Sequence, residues 1–420
     1  MNFNNKQNEA INSNQNNIVI KAPPGSGKTH TMVGAISHFI ERHSPNNVVA
    51  VTFTRKAAKE LKDRLPFSSN VVQSATIHSW SYRELEKLSQ EYGFRIRLMQ
   101  EDQIKEILST MIGKHGIYKS SLSYVYSYIT GNYNMDITDW LKNKYKVVQT
   151  EYIAYKEARN LYDFMDLPLY LLTKLKDTEA MGGTGHIDGI DALFVDEFQD
   201  VDPVQLEIFQ RVRVKYRFYI GDPHQSIYLF RGAVPTIFDN LNNFELYELD
   251  INYRSYQEIL NLATSIKYEA EEAIEFESSY SMYMLDRNIN SDIKADRGYG
   301  GATILSNRSG FITHITGTHY DSVQEALTTE LEFYDYNILC RKNKEVKEIL
   351  KLGFTNVTTV HQAKGLEYDN ILVIDFNMKN EEDINIAYVA TTRAKDRLIV
   401  TKLEFVLDVL EKQKNKRKLF

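Results

Sequence analysis

The residue types best suited to chemistry gather in the string IVIKAPPGSGKT, Ile18 to Thr29. Gly25 and Gly27 allow a backbone tight enough to aim successive N–H groups at one phosphate chain, where a Cβ would obstruct the approach. Lys28 supplies a point charge to the β- and γ-phosphates of a nucleotide, and Thr29 a hydroxyl ligand to Mg²⁺. The string departs from the usual G-x-x-x-x-G-K-[ST] pattern at its first position, which is Ala22. A glycine turn before any helix would look similar, but here an apolar strand precedes the turn and a helix-forming run follows it, as phosphate binding requires. A second cluster, VDEFQD, places Asp196 directly after four apolar residues. A carboxylate at the end of a neighbouring strand is what a phosphate loop needs to hold Mg²⁺ through its water shell, and Glu197 would then orient or deprotonate an attacking water. The alternative is an acidic pair that merely opens a helix at its positive end.

These groups need elements to hold them. Val48 to Phe53 reads as a second buried strand, Arg55 to Leu65 as an amphipathic helix stopped by Pro66, and Val71 to Ala75 as a third strand. From about Ser79 to Gly185 the pattern turns helical and Tyr-rich and ends in the glycine-rich MGGTG. Strand and helix alternation resumes at Ala192 to Val195 and at Phe218 to Ile220. A second α/β domain is expected after Tyr247 to Asn252, with strands at Asn337 to Cys340, Val357 to Val360, Ile371 to Ile374 and Leu398 to Val400. Residues from about 270 to 333 are less regular but precede the first of these. The basic tail from Lys412 to Lys418 reads as a solvated helix end rather than a binding arm.

Composition narrows the classes. A chain of 420 residues suggests two or three domains, and 43% apolar with 25% charged residues is ordinary for a globular protein. A net charge of −6 argues against a protein that coats nucleic acid through bulk charge, though not against a local groove. The single cysteine, Cys340, excludes an internal disulfide and a Cys-cluster metal site. No apolar run of membrane-spanning length and no signal-like N-terminus is read, so a cytoplasmic protein without membrane contact is expected. No nuclease constellation stands out among the remaining carboxylates.

With FNNKQNEAI, APPGSGKT, AVTFTRKAAKE, ATIHSW, VDEFQD, IGDPHQSIYLFRGA, LDINYRS, VTTVHQAKGLEYDN and AYVATTRAKDRL in this order, the chain resembles the UvrD/Rep/PcrA-type helicases of superfamily one over nearly its whole length. The resemblance implies two RecA-like parallel-sheet domains. Residues 1–78 and 187–245 would form domain 1A, residues 79–186 a helical insertion, 1B, and residues 246–420 domain 2A. It implies ATP and Mg²⁺ as cofactors, with Thr29 and Asp196 on the metal. Gln7 would read adenine, Tyr253 stack on it, and Glu367 meet the ribose or nucleotide edge; Gln225 would report the γ-phosphate. Arg254 and Arg393 would act as arginine fingers, spreading positive charge as the transferred phosphoryl gains negative charge; a structural ion pair is the plainer alternative for each. Phe53, Trp80, Tyr228 and Phe230 are candidates for stacking on bases, and Thr54, Arg55, His78, Arg231 and His361 for holding phosphate or sugar. Core packing is the competing reading for each aromatic, most evenly for Phe53.

Departures from the family matter too. His30 stands where Arg is common beside the adenine, and Arg55 where Asn is common. Only KLGFTNV separates Leu350 from Thr358, where longer relatives carry the 2B subdomain, so no 2B is expected. The resemblance implies an ATP-dependent translocase or helicase on single-stranded and tailed duplex DNA, moving 3′ to 5′. The rival is an ATP-gated DNA-binding subunit that works with a nuclease or with a replication or repair partner, as in compact phage helicases and two-gene anti-phage systems such as Gabija. An RNA motor stays open.

Overall fold

The computed structural model describes residues 2–65, 71–130, 139–228, 232–239, 241–275, 291–306, 312–314, 322–374 and 380–417. Its internal contacts divide the chain into two compact units. The first takes Met1–Ile20, Thr29–Ile220 and Leu229–Leu246, and the second Lys21–Lys28, Gly221–Tyr228 and Tyr247–Phe420.

Strands β1 (Asn17–Lys21), β2 (Val48–Thr52), β3 (Val72–Thr76), β4 (Ala192–Val195), β5 (Tyr216–Gly221) and β6 (Glu245–Glu248) form a six-stranded sheet in the order β3-β2-β4-β5-β1-β6. The pairs β2/β3, β2/β4 and β4/β5 are parallel. Every residue of β2 and β4 is buried, as expected of central strands covered on both faces, and this is why VVAVT and ALFV read as continuous apolar runs without alternation. Helix Lys28–His43 follows β1 and buries Met32, Val33, Ile36 and Phe39. Helix Arg55–Arg64 starts at Thr54 and helix Ile77–Tyr92 at Thr76, each hydroxyl accepting from the N–H three residues on. Gly93, at φ 73°, ends the second of these in the left-handed conformation that glycine adopts without strain.

Between β3 and β4 the regular elements among the described residues are helices, joined by loops and one isolated bridge, Leu98 with Tyr162. Helices Ile77–Tyr92 and Leu167–Ala180 pack on the sheet through Trp80, Leu85, Leu171 and Leu175. A separate core, with Leu108, Ile112, Val125, Val148 and Tyr152 at its centre, is drawn from helices Glu101–Lys114, Leu122–Ile129 and Asp139–Glu157. The boundary read at Ser79 thus falls inside a helix that belongs to the sheet's own core.

In the second unit, β7 (Ile251–Asn252) and β8 (Lys294–Ala295) pair in parallel. Strands β9 (Ala302–Ser306), β10 (Ile312–His314), β11 (Asn337–Cys340), β12 (Val357–Thr359), β13 (Tyr368–Ile374) and β14 (Ala394–Thr401) form a sheet in the order β10-β9-β14-β13-β11-β12. It is parallel apart from β10 against β9. Side chains alternate between two cores. Ile371, Val373, Leu398 and Val400 join one with helices Gln257–Glu275 and Glu381–Thr391, whereas Leu372, Ile374 and Ile399 join the other with helices Val323–Phe333 and Leu403–Arg417. Five residues, Leu352 to Asn356, link helix Asn343–Lys351 to β12. Among the described residues no helix is long and apolar enough to cross a membrane.

Candidate functional site

The phosphate-loop string leaves β1 and curls at Gly25 (φ 69°) and Gly27 (φ 80°), both in the left-handed region. Ser26 Oγ donates to the Pro23 carbonyl at 2.7 Å. Lys28 Nζ donates to the carbonyl oxygens of Ala22 (2.9 Å) and Pro23 (3.4 Å), which holds the ammonium on the loop itself. A Cβ at Gly25 would lie 2.6 Å from Asn252 Nδ2 and 2.8 Å from Arg254 Cβ, so a segment of the second unit packs directly on the loop. Asn252 makes that contact. Its Nδ2 donates to the Pro24 carbonyl at 2.6 Å, and its Oδ1 accepts from the N–H groups of Arg254 and Ser255. Tyr253 N–H donates to the Gly25 carbonyl at 2.8 Å while its ring stays exposed. A glycine-lined loop carrying one ammonium suits a polyphosphate.

In the same unit the two expected finger arginines lie on laced segments. Arg254 Nη1 donates to the Thr392 carbonyl at 3.1 Å, and Ser255 Oγ to the Ala394 carbonyl at 2.5 Å. Arg254 Nε also meets Glu367 Oε2 at 3.0 Å, so Glu367, expected at the nucleotide edge, is an ion-pair partner of Arg254. Arg393 is 3% exposed; its Nε donates to the Val389 carbonyl and its Nη2 to Gln225 Oε1 at 3.2 Å. The expected phosphate reporter and one expected finger therefore touch. Gln225 Nε2 donates to Asp222 Oδ2 at 3.0 Å, and Lys364 Nζ to the Gln225 carbonyl at 2.9 Å. Burial holds the His224 imidazole below its ordinary pKa, only partly opposed by the Asp222 carboxylate. Lys364 also sits 4.6 Å above the Tyr228 ring, which lies beside His361 at 6.1 Å.

In the first unit, Asp196 directly follows β4, buried, and its Oδ1 accepts from the Glu197 N–H at 2.9 Å. Glu197 holds φ 51°, a left-handed conformation that a residue with a Cβ adopts at a cost of about 1–2 kcal/mol. Such strain concentrates at functional positions. Gln199 Nε2 donates to Glu197 Oε2 at 2.6 Å and fixes the carboxylate. Thr29 stands in the first turn of helix Lys28–His43. Gln7, also buried, closes a capping box with Asn4, its Oε1 accepting from the Asn4 N–H at 3.0 Å. His30 Nε2 lies 3.1 Å from the Asn2 carbonyl, with its ring against Phe3.

The residues expected to hold a strand divide. Thr54 is a helix cap whose hydroxyl accepts from Ala57 N–H, and Phe53 is half-buried just beyond β2. His78 stacks on Phe164 with ring centroids 5.0 Å apart and 18° between planes, and the Arg55 guanidinium lies 5.8 Å from the same ring. Phe164 is 38% exposed. Its turn is fixed by Asp163, which accepts from the N–H groups of Met165 and Asp166, and by Lys156, which meets Asp163 and Asp166 within 2.8 Å. Trp80 requires a correction. It has no exposed surface, packs on Phe209 in the sheet's core, and so presents no face to a base. Phe230 and Arg231 lie outside the described residues. Sequence reasoning missed Asn252, Lys364 and Phe164. The first two sit inside the quoted strings LDINYRS and VTTVHQAKGLEYDN, and Phe164 is bracketed by the capping pair Asp163 and Asp166.

Residues 3–245 match the family described as the UvrD/REP helicase N-terminal domain. The chain belongs to the UvrD/Rep helicase family. Residues 353–404 match the UvrD-like helicase C-terminal domain. Among curated proteins, a probable DNA helicase of Mycoplasma pneumoniae is 27% identical over 95% of this chain and 83% of its own length. The ATP-dependent DNA helicase Rep of Buchnera aphidicola subsp. Baizongia pistaciae is 30% identical over 63% of this chain but only 42% of its own. The Gabija protein GajB of Bacillus cereus is 23% identical over 93% of this chain and 94% of its own. The chain thus spans less than half of the Rep relative and nearly all of GajB.

Proposed function

We propose that this member of the UvrD/Rep family is an ATP-dependent translocase and helicase on single-stranded and tailed duplex DNA. The contact that carries the reading is Gln225 Oε1 with Arg393 Nη2, in the unit where Asn252 and Arg254 pack on the phosphate loop. Loop N–H groups and Lys28 would bind the phosphates. Arg254 and Arg393 would stabilise charge on the transferred phosphoryl, and Gln225 would transmit its presence to Arg393. Thr29 and Asp196 would hold Mg²⁺, which when bound neutralises charge on the β- and γ-oxygens. Glu197, held by Gln199, would take the proton of the attacking water. Gln7 and Tyr253 would hold the base, and Glu367 would act through Arg254. Phe164, His78, Arg55, Tyr228 and His361 would grip the strand.

The compact architecture supports a motor with a helical 1B insertion and no 2B: the connection at Leu352 to Asn356 has no room for a subdomain. Movement 3′ to 5′ and a cytoplasmic location belong to the same reading. ATP turnover with and without a single-stranded oligonucleotide tests it, with Glu197→Gln as the inactive control. Turnover that no DNA or RNA stimulates would sink it. Release of streptavidin from one end or the other of a biotinylated strand reads the polarity.

The near end-to-end match to GajB favours a second reading, an ATP-gated DNA-binding subunit that needs a nuclease or other partner. Strand displacement on tailed duplexes, alone and with the product of the adjacent gene, separates the two. Displacement only with that product supports the second.

A further inference from the structure

The segment from Ser291 to Gly301 carries none of the family strings, yet it backs the finger-bearing residues. Strand β8 pairs with β7, and the N–H groups of Lys294 and Asp296 donate to the carbonyls of Asp250 and Asn252 at 2.8 Å. Gln257 Oε1 accepts from Ala295 N–H, and Glu258 accepts from the N–H groups of Gly300 and Gly301, which ties the segment to the first turn of helix Gln257–Glu275. From this platform Arg297 reaches out. Its Nη1 donates to the Arg254 carbonyl at 2.9 Å and to the Lys395 carbonyl at 3.3 Å. Its Nη2 meets Asp396 Oδ1 at 2.7 Å, and its guanidinium lies 3.9 Å from the Tyr256 ring centroid.

One guanidinium thus bridges the carbonyl of Arg254 itself and that of Lys395, two residues beyond Arg393. We propose that Arg297 is a positioning residue for phosphoryl transfer: it locks the chain segments bearing Arg254 and Arg393 in one register, so that both cations approach the phosphoryl group together. The inference rests on the finger reading of those two arginines. Arg297 acts through the backbone rather than by touching the nucleotide. A planar fork suits the task because its donors are set at fixed angles, whereas a lysine offers a single rotatable ammonium. Asp396 and the Tyr256 face pin the fork from two more sides. Displacements of about an ångström at catalytic groups lower rates by around a hundredfold, so loss of the strap should appear in turnover before it appears in binding.

The test measures DNA-stimulated ATP turnover, ATP affinity by fluorescent-nucleotide titration, and thermal melting in Arg297→Ala, Arg297→Lys and Asp396→Asn, beside Arg254→Ala and Arg393→Ala. Expected is a fall in kcat of about tenfold to a hundredfold for Arg297→Ala, with ATP affinity within about threefold of wild type. Millimolar guanidinium should restore part of the rate in Arg297→Ala. Arg297→Lys should fall between wild type and Arg297→Ala. A merely structural role would lower kcat and affinity together with melting temperature and give no rescue, and that outcome overturns the proposal. Should Arg297→Ala fail to fold, Asp396→Asn and Arg297→Lys decide by the same split of kcat from affinity. If Arg254→Ala and Arg393→Ala keep full turnover, the finger reading fails. If they lose turnover while the Arg297 and Asp396 variants keep it, the positioning proposal alone fails.

Discussion

Asn252 offers the sharpest test of how the phosphate loop is held, because its side chain is buried and its amide serves both as donor and as acceptor. Replacing it by alanine removes three hydrogen bonds: Nδ2 to the Pro24 carbonyl, and Oδ1 from the N–H groups of Arg254 and Ser255. Each such bond contributes about 1 kcal/mol net, and burying the abandoned partners without water raises the total to roughly 3–4 kcal/mol. For a unit of this size about 2–4 °C of melting temperature accompanies each kcal/mol, so Asn252→Ala should lower the transition by roughly 10 °C. Asn252→Asp is more discriminating. The carboxylate still accepts from both N–H groups, but one of its oxygens would face the Pro24 carbonyl where a donor stood at 2.6 Å. If the donor to Pro24 is what seats the loop, both variants lose at least about tenfold in ATP affinity, equivalent to about 1.4 kcal/mol. Calorimetry and fluorescent-nucleotide titration read the two effects. An aspartate variant that binds ATP as the wild type does would refute the reasoning, since the acceptor half of the amide would then suffice.

Three further outcomes are expected. His224 is held neutral by burial, so the unfolded chain takes up a proton more readily than the folded one; its contribution to stability is complete above about pH 6.5 and declines as pH falls below that value. Melting followed from pH 7.5 to 5.5 should therefore show a fall that is smaller in His224→Gln, and equal slopes would refute it. Phe164→Ala should weaken a labelled oligothymidine by about tenfold in fluorescence anisotropy, within the 1–3 kcal/mol that one stacked base contributes, with basal ATP turnover unchanged; equal affinity would remove Phe164 from the strand grip. Trp80→Phe should leave oligonucleotide affinity within about twofold while lowering stability by roughly 1–3 kcal/mol through the lost volume in the core, and a tenfold loss of affinity would return Trp80 to the strand grip.

The sheets were legible because parallel strands buried on both faces must be apolar almost without interruption. Asn337–Cys340 and Ala192–Val195 end where the runs end. Strand β9 was not legible, although it lies inside its sheet between β10 and β14: ATILS is short, carries a Thr and a Ser, and follows the polar DRGYGG. What makes it a strand is its register with β14, Arg397↔Ala302 through Val400↔Leu305, and a long-range pairing leaves no mark on local periodicity. The same limit applies to Trp80. Its position after ATIHS gave the sequence no way to tell a helix face turned to the sheet from one turned to solvent, and the core with Phe209 decides it.

At the site, the legible part consisted of groups whose chemistry is local to one string: the two left-handed glycines, the ammonium beside them, and the carboxylate at a strand end. The illegible part consisted of what holds those groups. Asn252 is passed over because an asparagine before an aromatic and an arginine carries no chemistry of its own, and nothing in KGLEY reveals that Glu367 pairs with Arg254. Supporting residues act through backbone carbonyls that every residue possesses, so their identity is encoded by distance in the fold rather than by side-chain type. It follows that single substitutions among them should separate turnover from binding more cleanly than substitutions of the groups proposed to face the phosphates, because they would displace a cation without removing it.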